Sequence, residues 1–271
     1  MKQDIQPSQS EKSAATPNKP EKNLYEPYST PPVLYHAIRW LARFLFLLLA
    51  RVQLRSRYNV PKEGPYIIAS NHLSWLDVPM VPAYLSRKVV YMAKEEAFYS
   101  KVGWLVRFLG AFPVKRGEGD RQAIRAASEQ LKQKKVLVIF PEGTRSKTHA
   151  MNKANAGLGM IALRAGVPVV PVAIWGSENV LRKFSPRVTI AYGEPVVLKP
   201  KGAKVTREDM EEATDEIMRR IAAMLPARYR GVYGEESVVT PVKAIIAPEI
   251  SESAATPEIA QKADAVEVQD A

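Results

Sequence analysis

Between residues 65 and 192 the chain alternates short apolar runs with segments of helical period. PYIIAS (65–70), KVVYMA (88–93), AFPV (111–114), KVLVIF (135–140), VPVVPVAI (167–174) and RVTIAY (187–192) have the length and β-branched content of strands. Helical periods fall near 74–85, 95–109, 119–134 and 151–165, and again at 207–225. KVLVIF and VPVVPVAI are apolar at successive positions, the pattern of strands covered on both faces. The alternation predicts an α/β domain, a mixed, mostly parallel sheet flanked by helices. In such sheets ligands bind beyond the C-terminal ends of the strands. Three polar stretches stand there: Asn71–Asp77, Lys115–Gly117 and Pro141–Ser146.

Ahead of this domain, residues 33–57 read as one helical element with no uncharged run longer than Phe44–Ala50. That is well short of the roughly 20 apolar residues a spanning helix needs. At about 100° per residue, His36, Arg39, Arg43 and Arg51 share one sector, with Leu34, Leu41, Phe44, Leu45 and Leu48 elsewhere. The pattern fits a basic amphipathic helix lying in a membrane interface, or a helix packed on the protein's own core. No secretory cleavage pattern accompanies it. Both ends of the chain are polar and rich in Ala, Pro, Ser and Glu, and read as disordered tails. The expected organisation is therefore an N-terminal tail (1–30), a membrane-associating helical segment (31–60), the α/β domain (61–233) and an acidic tail (234–271).

Charge sharpens this picture. The net charge is +11, yet residues 1–30 balance and residues 234–271 carry −6, which leaves +17 on residues 31–233. Such a surface attracts anionic lipid, nucleic acid or a phosphorylated substrate. Aromatic residues make up 8% of the chain and do not interleave with the cations, which argues against a nucleic-acid stacking surface. The absence of cysteine excludes disulfides, thiolate-bound zinc and a cysteine nucleophile.

The three strand-end stretches carry the candidate chemistry. In NHLSWLD, His72 and Asp77 are five residues apart, about 140° around a helix, so they can meet only if His72 lies in the loop before it. Ser74-x-x-Asp77 resembles a capping box, with Ser74 as the cap and Asp77 in the first turn. Asp77 then either serves the helix N-terminus alone or also orients His72 as a general base. In GAFPVKRG, Lys115 and Arg116 end a strand beside Gly117, a plausible phosphate site or an ordinary solvated pair. In FPEGTRS, Glu142–Gly143 predict a tight turn, followed by Thr144, Arg145 and Ser146 as donors. Arg145 could grip a phosphate bidentately, and Glu142 could accept from a hydroxyl or hold the arginine. His149 is a further loop residue near Arg145 and is expected to face solvent.

NHLSWLD, GAFPVKRG, FPEGTRS and VPVVPVAI, in this order and at these separations, resemble the four sequence blocks of the glycerolipid acyltransferases. The nearest branch is the 1-acylglycerol-3-phosphate (lysophosphatidate) O-acyltransferases, and the match runs over residues 33–230. The resemblance implies a glycerolipid acyltransferase-like fold and acyl transfer from a thioester to the sn-2 hydroxyl of lysophosphatidate, forming phosphatidate without an acyl-enzyme. His72 would be the base and Asp77 its orienter. Arg116 and Arg145, with Lys115, would hold the phosphate, Glu142 and Gly143 would shape the glycerol site, and Thr144 is a further substrate-binding candidate. Pro168 and Pro171, in the fourth block, are taken as structural. No metal or cofactor is implied beyond acyl-CoA or acyl carrier protein as donor. The expected partners are the two substrates and an anionic membrane surface, with no nucleic acid, and the expected location is the cytoplasmic face of the cell membrane. The rivals are another acceptor (glycerol-3-phosphate, a lyso-ornithine lipid or another lysophospholipid), a thioesterase, and a non-catalytic basic membrane-binding protein.

Overall fold

The computed structural model describes residues 31–100, 103–114 and 121–234. In chain order the elements are α1 (Pro32–Leu49), β1 (Arg51–Arg55), β2 (Tyr66–Ser70), α2 (Asp77–Ala83), β3 (Val89–Lys94), α3 (Glu95–Phe98), α4 (Gly103–Phe108) and β4 (Ala111–Val114). They continue with α5 (Arg121–Lys132), β5 (Val136–Ile139), α6 (Gly157–Ala165), β6 (Val169–Trp175), β7 (Arg187–Tyr192) and α7 (Arg207–Met224). The strands form one sheet in the order β1-β7-β6-β2-β5-β3-β4. β6, β2, β5, β3 and β4 are mutually parallel. β7 runs antiparallel to β6, and β1 follows β7 in parallel. This is the mixed, mostly parallel sheet the apolar runs predict.

Strand period sorts the core into two layers. Tyr66 and Ile68 of β2, Val136 and Val138 of β5, and Val170, Val172 and Ile174 of β6 face α1 and α2. Ile67 and Ala69, Leu137 and Ile139, and Val169 and Ala173 face α5, α6 and α7. Each fully buried Val, Leu or Ile contributes about 1.5–3 kcal/mol relative to exposure, so the continuous apolar runs are what bind the two helical layers to one sheet. Gly159 lets α6 and α7 approach closely, since a Cβ there would stand 2.0 Å from the Met210 carbonyl oxygen. Thr206 and Asp209 close a capping box at the start of α7.

Two local readings change. The helical reading of 33–57 holds only to Leu49, and Arg51–Arg55 form the edge strand β1, paired with β7 from Arg51↔Arg187 to Arg55↔Ala191. Arg51 is therefore not on the basic stripe of the helix. The orientation of α1 also follows its packing. The Arg39 guanidinium donates to the carbonyls of Leu85 (2.7 Å) and Ser86 (3.0 Å), and Arg43 lies over the rings of Trp40 and Tyr84. The arginines of α1 are thus held against the protein, while Leu34, Trp40, Leu41, Phe44, Leu45, Leu47 and Leu48 are exposed. By length and composition α1 could also cross a membrane.

Candidate active site

Site geometry begins where β2 ends. Asn71 is fully buried, and its side chain bridges to β6: Nδ2 donates to the Ile174 carbonyl at 2.9 Å and Oδ1 accepts the Ile174 N–H at 2.8 Å. The next residue, His72, is thereby fixed at the rim of the sheet. Its main chain is gripped on both sides by the loop after β5. The His72 N–H donates to Glu142 Oε1 at 3.0 Å, and its carbonyl accepts the Ser146 N–H at 2.9 Å. The imidazole stacks on Phe140, with ring centres 4.2 Å apart.

Asp77 reaches back under this loop. Its Oδ2 accepts from His72 Nδ1 at 3.0 Å and from the backbone N–H groups of Leu73 and Ser74 at 2.7 Å each. The capping-box expectation is met only in part. Asp77 is the first residue of α2 and not its third, and Ser74 Oγ accepts from Leu76 N rather than from Asp77. One carboxylate oxygen thus holds both the loop ahead of α2 and the His72 ring. With Oδ2 accepting, the imidazole proton sits on Nδ1 and Nε2 is the basic nitrogen.

Glu142 is buried, and both of its oxygens are engaged by the fold. Oε2 accepts from the Asn152 N–H (2.9 Å) and from Asn152 Nδ2 (3.2 Å), so the carboxylate spans from His72 to the following loop. It does not hold Arg145. That guanidinium lies over the ring of Trp75, 4.1 Å from its centre, which brings it to the His72 loop by another route. Gly143 has φ of +65°, the left-handed turn expected of it. Thr144 and Arg145 are exposed on the same turn. Lys115 and Arg116 lie outside the described residues. His149 does not face solvent as expected: it is half-buried and its Nδ1 has no partner among the described residues.

Burial raises the Glu142 carboxyl above its ordinary value, and the hydrogen bonds from Asn152 and His72 pull the other way. A carboxyl raised on folding binds its proton more tightly in the folded chain, so its ionisation costs stability as pH rises from the ordinary carboxylate range through the raised value. Relative to Glu142→Gln, the wild-type protein should lose thermal stability across that interval. Parallel melting curves at stepped pH check this, and a pH-independent difference would show that Glu142 titrates alike in the folded and unfolded chains.

Asn71 and Phe140 open two of the motifs and Asn152 follows one, but nothing in the sequence signalled their contacts. The partners of Asn71 and Phe140, Ile174 and His72, lie far along the chain, where spacing says nothing. Among the described residues no cluster of three metal-ligating side chains occurs.

Residues 51–175 match the family model described as Acyltransferase. A lyso-ornithine lipid O-acyltransferase of Pseudomonas aeruginosa is 35% identical over 50% of this chain, and the match spans about half (51%) of that relative's length. A 1-acyl-sn-glycerol-3-phosphate acyltransferase of Bacillus subtilis is 28% identical over 66% of this chain and 90% of its own. The crystal structure of the 1-acyl-sn-glycerophosphate acyltransferase of Thermotoga maritima aligns with a TM-score of 0.55 at 29% identity, covering 70% of this chain and 80% of that one. The matched stretch begins at β1, ends at the last residue of β6, and contains every residue of the His72 site. With its motifs in order, its sheet alike and its site assembled on one rim, the chain is similar to the glycerolipid acyltransferases, the lysophosphatidate acyltransferases among them.

Proposed function

We propose that the protein transfers an acyl group from an acyl thioester to the sn-2 hydroxyl of lysophosphatidate, forming phosphatidate at the cytoplasmic face of the cell membrane. The observation that carries this reading is the His72–Asp77 contact at a strand-end rim, with Nε2 as the basic nitrogen. His72 Nε2 takes the hydroxyl proton while the hydroxyl oxygen attacks the thioester carbonyl. Asp77 stabilises the imidazolium that forms. Collapse of the tetrahedral intermediate expels the thiolate, which takes the proton back from Nε2. No acyl-enzyme is needed. Acyl-CoA and acyl carrier protein are both donor candidates. Arg145, exposed beside the His72 loop, is placed to meet the acceptor phosphate, and Lys115 and Arg116 are proposed to share that charge.

Thiol release by purified protein in detergent, with and without lysophosphatidate, tests the reading. Release that requires the acceptor and yields phosphatidate supports it. Release without acceptor would make the protein a thioesterase, and release only with lyso-ornithine lipid would move it to that relative's acceptor. Arg145→Ala should raise the lysophosphatidate KM about tenfold or more with kcat little changed, as expected for loss of binding shared by ground and transition states. An unchanged acceptor KM with an altered donor KM would move Arg145 to the donor side.

A further inference from the structure

The reversal of β7 against β6 has a geometric result on the far side of the sheet. Because β1 and β7 run opposite to β2, their N-terminal ends, Arg51 and Arg187, lie at the rim that carries His72. Three strand spacings, roughly 15 Å, separate β1 from β2. From that rim an open groove of about 640 Å³ runs along the edge strand beside the C-terminal end of α1, lined by Leu47, Ala50, Arg51, Gln53, Arg55 and Arg187 among others.

The charges in the groove are arranged against electrostatic expectation. Arg51 pairs directly with Arg187 across the two strands, a like-charge juxtaposition that costs stability unless something screens it. Arg55 follows on the same strand and lies near the ring of Trp175, 5.6 Å from its centre. Among the described residues none of the three has a carboxylate within ion-pair distance. Alongside stands the exposed apolar end of α1, with Leu47, Leu48 and Leu49 between 42% and 74% exposed. A cationic groove continuous with an apolar helix end matches an amphiphile: phosphate against the guanidinium groups, acyl chains against the leucines.

We propose that this groove binds the phosphate of an anionic phospholipid of the bilayer, at a site separate from that of the acceptor, and so sets the catalytic rim against the membrane. The inference rests on the proposed lipid substrate only for its setting. Arginine suits the role because its planar fork grips phosphate oxygens in pairs and is weakly hydrated. Each such cation near an anionic surface contributes about 1 kcal/mol, so three together are worth on the order of a hundredfold in membrane affinity.

The test is flotation of the full chain with vesicles of phosphatidylcholine alone or of phosphatidylcholine with phosphatidylglycerol. The variant Arg51→Gln/Arg55→Gln/Arg187→Gln is compared with Arg164→Gln/Lys199→Gln/Lys204→Gln. The second set removes the same charge from exposed positions outside the groove. The expected result is a loss of roughly 30–100-fold in affinity for the anionic vesicles in the first variant only. Binding to phosphatidylcholine alone, and turnover on detergent-dispersed acceptor, should be unchanged. Equal losses in both variants would mean diffuse attraction and would overturn the site. Displacement of wild-type protein from the vesicles by inorganic phosphate at millimolar concentration would make it a free-anion site instead. Tighter vesicle binding by the arginine variant would show that the groove holds the acidic 234–271 segment, which also overturns the proposal. Detergent turnover reports separately on the proposed reaction, so the two readings can fail independently.

Discussion

His72→Ala is expected to lower turnover by about 10²–10⁴-fold, the contribution of a positioned general base, while the protein stays folded. The structure explains why the fold should survive. The imidazole packs on Phe140, but the loop is held by other groups: the His72 N–H on Glu142, the His72 carbonyl on the Ser146 N–H, and the Asn71 side chain on the Ile174 backbone. None of these contacts uses the imidazole. Turnover under saturating donor and acceptor, beside a thermal melt of the same preparation, separates the two effects. A variant that melts like wild type and keeps near wild-type turnover would remove His72 from the chemistry altogether.

The second large effect is expected from Asp77, where two substitutions resolve two roles. Asp77→Asn keeps an oxygen that can still accept from Leu73 and Ser74, so the loop and the start of α2 should persist. It removes the charge that stabilises the imidazolium, while the same oxygen can go on accepting from Nδ1–H and keep the tautomer. A fall in kcat of about 10²–10⁴-fold, with acceptor KM little changed, is expected if Asp77 supports the base. Asp77→Ala should also strip three donors of their acceptor, two of them buried, at about 1–3 kcal/mol for each buried one left unsatisfied, and so melt at lower temperature. If Asp77→Asn keeps full activity while Asp77→Ala is destabilised, Asp77 holds the loop and does nothing more.

How far the sequence could be read depended on the range of the interaction. Strands announced themselves because burial on both faces demands continuous apolar residues, and Val136–Ile139 and Val169–Ile174 are buried throughout. β1 was hidden because RVQLR alternates polar and apolar residues directly after an apolar helix, with no Gly or Pro to mark the break. Its pairing with β7, more than 130 residues later, decides its state. The reach of Asp77 to His72 was legible since both lie within one turn of loop and helix. The destination of Glu142 was not. Spacing suggested a partner in Arg145, three residues on, but the carboxylate spends its oxygens on His72 and Asn152. The inward turn of Arg39 and Arg43 was equally illegible, because a helix's polar stripe says nothing of which side meets the protein.

The clamp on His72 also bears on how the protein comes into being. The Glu142 contact joins residues 70 apart in sequence, and the Asn71–Ile174 bridge joins residues 103 apart. Both close large loops, and such contacts form late because chain entropy must be lost before they add stability. A nascent chain that has made its helices and the β2–β5 pair still lacks the β6 bridge, so its imidazole is not yet set. The setting of the imidazole therefore depends on long-range closures of the sheet, and a chain without them lacks the clamp on His72.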